Sequence, residues 1–121
     1  MRYADKIPYV FILDHLKVEG IVIKPMFGCF GIYSNGCLCM FLMNRVKPMI
    51  RRNADPMQNG VYIATMAAHT LELKSIFEKA EIQFLKGEKV WIFVSELLSE
   101  FEAYVITVCE MITACDPRIG R

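Results

Sequence analysis

The sequence predicts an α+β domain with two layers: an antiparallel sheet carrying helices on one face. Three observations predict it. Short apolar, β-branched runs are joined by tight turns rather than by long crossovers. The pair Asn35-Gly36 separates two of these runs. Amphipathic segments stand before, between and after the strands, giving the order α-β3/4-α-β2-α. The 121 residues suffice for one domain, spanning 1–121. Folding would hide roughly two-thirds of the surface such a chain exposes when unfolded.

The first element is the nearly apolar stretch Ile7 to Leu16, read as a short helix. Asp5 can cap its start, and Pro8 is tolerated in a first turn, where its missing donor has no partner to lose. Gly20 is the expected stop. The period then changes. Ile21-Val22-Ile23 is β-branched, and Pro25 marks an edge or a strand end. Phe30-Gly31-Ile32-Tyr33 forms the next strand. Asn35 and Gly36 both accept the positive φ of a type I′ turn. Cys37 to Met43 follows as a continuous apolar run, the mark of a strand buried on both faces or at an interface.

Asn44 to Asn59 contains Pro48, Pro56, Arg45, Lys47, Arg51 and Arg52, and reads as an exposed loop. Val61 to Thr65 is a fourth strand. Ala67 to Ala80 is helical in pattern, with Leu73, Ile76, Phe77 and Ala80 on one face. Glu81 to Leu85 and Val90 to Val94 bracket Lys86-Gly87-Glu88 as a second hairpin. The last element is predicted to be a helix of about 19 residues. Ser95 is its expected N-cap and Pro117 lies beyond its end. Leu97, Phe101, Tyr104, Val105, Val108, Ile112 and Cys115 mark its stripe, and Ile106 and Met111 widen it.

Charge and cysteine narrow the function classes. Lys plus Arg number 14 and Asp plus Glu 13, a net charge of +1, so a globally basic nucleic-acid binder is not indicated. The balance is uneven, with bases in excess before Ala67 and acids after it. This suits two solvated faces, or self-association through complementary patches. The five cysteines, Cys29, Cys37, Cys39, Cys109 and Cys115, are odd in number. No secretory signal or membrane span is read at the start, so a cytoplasmic location with reduced thiols is expected. Cys37-x-Cys39 lacks the wider gap and the second ligand pair of a zinc site, and His15 and His69 supply none. No metal and no cofactor are expected.

Motifs for chemistry are equally scarce. Gly28 and Gly31 stand without a phosphate-loop or dinucleotide pattern. The carboxylate pairs Glu96–Glu100 and Glu100–Glu102 read as a solvated helix face. A convergent group of His, Cys and carboxylate would argue for catalysis, and a purely aliphatic pocket against it. The concentrated charge is Arg45, Lys47, Arg51 and Arg52, four bases within eight residues. It reads first as a solubilising loop and second as a phosphate or nucleic-acid contact.

The string KPMFGCFGIYSNGCLCMFL, Lys24 to Leu42, resembles the N-terminal domain of TfoX-type competence regulators. Met26-Phe27-Gly28 matches the Met-Phe-Gly start. Phe30-Gly31-Ile32-Tyr33 matches the aromatic-Gly strand, Asn35-Gly36 the turn and Cys37 to Leu42 the following strand. The resemblance covers these residues and, beyond them, the order of elements. It implies a secretion-chaperone-like α+β fold, a non-enzymatic regulatory role and a stand-alone bacterial member. It offers no catalytic residues to carry over. Cys29 departs from the family's second Gly at that position.

The expected function is therefore an interaction module acting through a protein partner, as a homodimer. Cys39, Phe41, Ile106 and Met111 are the expected self-association residues. The alternatives are a nucleic-acid-binding regulator using Arg45, Lys47, Arg51 and Arg52, and a small-ligand-binding or enzymatic domain.

Overall fold

The computed structural model describes residues 7–16, 19–26, 29–45 and 58–121. It is an α+β fold. The elements are α1 (Ile12–His15), β1 (Ile21–Met26), β2 (Cys29–Ser34), β3 (Cys37–Met43), β4 (Gly60–Met66), α2 (Thr70–Ile76), β5 (Glu81–Phe84), β6 (Lys89–Ser95) and α3 (Phe101–Thr113). The six strands form one sheet in the order β1-β2-β3-β4-β6-β5. Every neighbouring pair is antiparallel.

The β2–β3 hairpin turns at Asn35 and Gly36, with φ of +49° and +86°. That is the pair of left-handed residues a type I′ turn requires. The β2–β3 register slips between Ile32, opposite Met40, and Tyr33, opposite Leu38. Cys39 is thus the extra residue of a β-bulge, and the bulge reverses the alternation of faces along β3. Cys39 and Met40 both enter the helix-side core, whereas Phe41 points to the opposite face.

Pro25 falls where a sheet tolerates it. Asn35 N–H donates to Gly20 O at 3.0 Å. The β1–β2 register then directs the backbone groups of Ile21, Ile23 and Pro25 away from β2. The missing proline donor lies on the outer side of an edge strand.

All three helices contribute to one apolar layer against the sheet. Ile12, Leu73, Phe77, Phe101, Val105, Val108 and Ile112 meet Ile32, Leu42, Val61, Ile63, Val90, Ile92 and Val94 there. The opposite face carries Cys29, Phe41, Met43, Tyr62 and Phe93, with Met26 and Trp91 at its margin. Its rings pack on each other: Tyr62 stacks on Phe93 at 4.5 Å, and Phe41 and Trp91 each lie about 6 Å from Tyr62.

The helices are shorter than their apolar periods predict. The expected helix from Ile7 to Leu16 reduces to Ile12–His15, because Tyr9 takes a φ of +57°. That backbone places the Tyr9 hydroxyl between two acceptors for its one proton, Met43 O at 2.9 Å and Glu96 Oε2 at 2.6 Å. The expected 67–80 helix is a 3₁₀ turn at Ala67–His69 followed by α2. Lys74 Nζ donates to Ala80 O at 2.6 Å, which helps hold the chain after α2 in its turn. The last helix begins at Phe101, six residues after Ser95. Ser95 caps a turn instead: its Oγ accepts from Leu97 N–H at 3.2 Å. Glu96 is drawn toward Tyr9 and Asn44. Leu97, counted in the helical stripe, is 87% exposed.

Candidate functional site

The chain turns sharply after α3. Asp116 N–H donates to Met111 O at 2.9 Å and Cys115 N–H to Ile112 O at 3.0 Å. This pair of bonds closes the helix with Cys115 in the left-handed region, at a φ of +56°. Pro117 follows and prevents the helix from resuming. Asp116 then organises the turn. Its Oδ1 accepts from the backbone N–H and Nε of Arg118, and its Oδ2 from Arg118 Nη2 at 2.7 Å. Arg118 Nη1 also reaches Glu72 Oε2 at 3.2 Å. The adjacent guanidinium lowers the Asp116 pKa and the two carboxylates raise that of Arg118.

The segment from Arg118 to Arg121 enters the sheet. The β3–β4 ladder runs only from Met40–Ile63 to Met43–Gly60. Beyond it, Gly120 N–H donates to Ala64 O at 2.7 Å, while Arg121 and Leu38 exchange both backbone bonds at 3.0 and 3.1 Å. Thr65 Oγ1 donates to Arg118 O at 2.6 Å. Ile119 is buried in the helix-side core. Gly120 has a φ of +101°, and a Cβ there would stand 3.4 Å from Cys39 Sγ and 3.6 Å from Cys37 Cβ. The Arg121 guanidinium lies 4.4 Å from the Trp91 ring centre and donates to Thr65 O and Val90 O.

Two cavities flank this segment. An open cleft of about 590 Å³ is lined by His69, Glu72, Ala114, Cys115, Asp116, Pro117 and Arg118. A second, of about 320 Å³, lies among Ser34, Asn35, Cys37, Cys39, Ile112, the turn Cys115 to Pro117 and the residues Ile119 to Arg121. The first brings together histidine, cysteine and carboxylates from α2, the preceding turn and the end of α3. Spacing along the chain does not reveal this group, because His69 and Glu72 are remote from Cys115 in sequence. Pro117 served there only as a helix stop. The signal within reach was local: Asp116 and Arg118 flank a proline at a spacing where a carboxylate caps its own turn.

Of the residues singled out from sequence, Arg45, Cys39, Phe41, Ile106 and Met111 are described, and these do not gather at one place. Arg45 is half-buried, and its backbone is tied to Asn59: its N–H donates to Asn59 Oδ1 at 2.9 Å and its O accepts from Asn59 Nδ2 at 3.0 Å. Lys47, Arg51 and Arg52 lie outside the described residues, as do Asp5, Phe27 and Gly28. Cys39 and Phe41 are on opposite faces because of the bulge. Met111 is 9% exposed and packs in the helix-side core, and Ile106 is half-buried.

The remaining thiols divide by burial. Desolvation pushes Cys109 up to about 12 and raises Cys39 and Cys29 as well. Cys37 and Cys115 are exposed. No cluster of His, Cys, Asp and Glu among the described residues has the geometry to hold a metal ion. No described helix is long and apolar enough to cross a membrane.

The sheet's two edges differ. On β5, Leu85 N–H donates to Lys89 O at 3.0 Å. The β5–β6 register therefore points the backbone groups of Ile82 and Phe84 outward, with no proline among them. Phe84 is 71% exposed. Leu71 of α2 is exposed as well, and Ala67 N–H bonds Glu88 O in the β5–β6 turn. Comparison with protein-family models, curated proteins and solved structures finds no match for this chain.

Proposed function

We propose that this chain is a non-enzymatic regulatory domain of the TfoX N-terminal type, acting in the bacterial cytoplasm by protein–protein association as a homodimer. The observation that carries this reading is the place of β5 at the edge of the described sheet, with Phe84 exposed on it. A strand edge presents backbone groups that can pair with another chain. Two copies meeting antiparallel about Gln83 would place Ile82 of each opposite Phe84 of the other. Their outward backbone groups would then pair, and the apolar side chains would cover each other. The resemblance at Met26, Phe30–Tyr33, Asn35-Gly36 and Cys37–Leu42 is accommodated by the β1–β2–β3 meander. The apolar stripe of α3 is used largely within the chain's own core.

Sedimentation velocity across a concentration series tests this. Phe84→Lys is expected to weaken dimerisation at least tenfold, about 1.4 kcal/mol. Val22→Lys, on the proline-blunted edge, should leave it unchanged. A wild-type protein that stays monomeric at all concentrations overturns the reading.

A second reading, a small-ligand-binding or enzymatic domain, is favoured by the meeting of His69, Cys115 and two carboxylates at the larger cleft. It ranks second because Arg118 already engages both carboxylates. The nucleic-acid alternative rests on Arg45, Lys47, Arg51 and Arg52, of which Arg45 alone lies among the described residues.

A further inference from the structure

We propose that Cys37 and Cys115 form a hydroperoxide-sensitive dithiol that closes into an intramolecular disulfide across the smaller cavity. Three observations lead there, independently of the dimer. First, the cavity of about 320 Å³ is walled by three thiols from distant parts of the chain: Cys37 and Cys39 on β3, and Cys115 after α3. Second, within this group Cys37 and Cys115 are exposed and Cys39 is buried, so an oxidant in solvent meets the first two. Third, Cys115 occupies a left-handed helix-closing position at a φ of +56°, where glycine is the unstrained choice. A side chain held there against its backbone preference needs a reason other than closing the helix.

The chemistry proceeds in two balanced steps. The Cys115 thiolate attacks one oxygen of the hydroperoxide. The O–O bond breaks, the alcohol (or water, from hydrogen peroxide) departs with a proton, and Cys115 becomes a sulfenic acid. The Cys37 thiolate then attacks that sulfur and displaces hydroxide, which leaves as water once protonated, forming the S–S bond. Two thiols are oxidised and one peroxide is reduced.

The consequence is mechanical. Leu38, next to Cys37, pairs with Arg121, and Gly120 passes between β3 and Ala64. A bond from Cys37 to Cys115 would tie both ends of the Cys115–Arg121 segment to the start of β3. The intruding segment would then be stapled in place. In the reduced protein it is held by hydrogen bonds, by burial of Ile119 and by the Arg121–Trp91 contact.

The test treats the reduced, full-length protein with hydrogen peroxide, then counts free thiols and maps non-reduced peptides by mass spectrometry. The expected result is loss of two of the five thiols and a Cys37–Cys115 peptide within one chain. The melting temperature should rise by about 5 °C or more, since a long loop is closed. Cys37→Ser and Cys115→Gly should each abolish both the cross-link and the rise. Reduced Cys115→Gly should melt no lower than wild type, which separates lost chemistry from lost folding. A pairing that includes Cys39, a cross-link between two chains, or Cys115 oxidised with no disulfide would each overturn the proposal.

Discussion

The two faces of the sheet are sealed by different physics. Beneath the helices the sheet presents aliphatic side chains: Val61 and Ile63 on β4, and Val90, Ile92 and Val94 on β6. These fill volume against α1, α2 and α3, and dispersion and water exclusion reward close packing without regard to direction. On the other face the same strands present Tyr62, Trp91 and Phe93. Here geometry matters, because rings prefer stacked and edge-on contacts and a guanidinium prefers the flat of an indole. Arg121 closes that layer over Trp91 while bonding two carbonyls. The difference teaches that β4 and β6 can be apolar on both sides and still be specific. One side is selected by volume and the other by orientation.

The largest effect should come from the helix-covered side. Ile63→Ala removes a fully buried side chain and should cost about 3 kcal/mol in urea unfolding. The folded-state Trp91 emission should stay unchanged, since Ile63 faces away from it. A shifted emission would mean that the two layers are coupled.

Arg121→Ala probes the aromatic side. It removes the contact over Trp91 and leaves Thr65 O and Val90 O without that donor, an expected loss of about 2 kcal/mol. Emission from Trp91 should move to the red as water reaches the ring. An unmoved spectrum would show that the guanidinium does not shield it.

The smallest effect is set by pH. Arg118 holds the Asp116 pKa below its ordinary 3.8. A carboxylate with a lowered folded pKa contributes stability above its unfolded pKa, and that contribution fades as pH falls through the folded value. Stability should therefore decline as pH drops below about 4, through this group and through Glu100, which Lys79 and Ser99 hold down to about 2. Asp116→Asn should flatten part of that decline in pH-dependent thermal melts and lower stability at neutral pH. An unchanged slope would show that the turn at Arg118 stands without its carboxylate.

Much of the sheet was legible from residues alone. Asn35-Gly36 announced a turn because both residues accept positive φ, and Pro25 announced an edge because it lacks a donor. The candidate site was not legible. The Cys39 bulge leaves no mark in an unbroken apolar run, since shifting one residue changes the face of each side chain but not its hydrophobicity. Helix ends were misplaced where a distant partner won: Tyr9 left the helix for Met43 and Glu96, and the expected cap at Ser95 closed a turn instead.

By itself the chain's order of residues determined the class of fold, the hairpins and the proline edge, because these depend on local backbone preference and on a period of two or near four. Tertiary structure alone decided that β3 and β4 separate, that Gly120 and Arg121 lie between them, and that His69, Glu72 and Cys115 share one cleft. Such arrangements arise from unsatisfied backbone groups and unfilled volume meeting in space, and neither quantity exists until the chain has closed on itself.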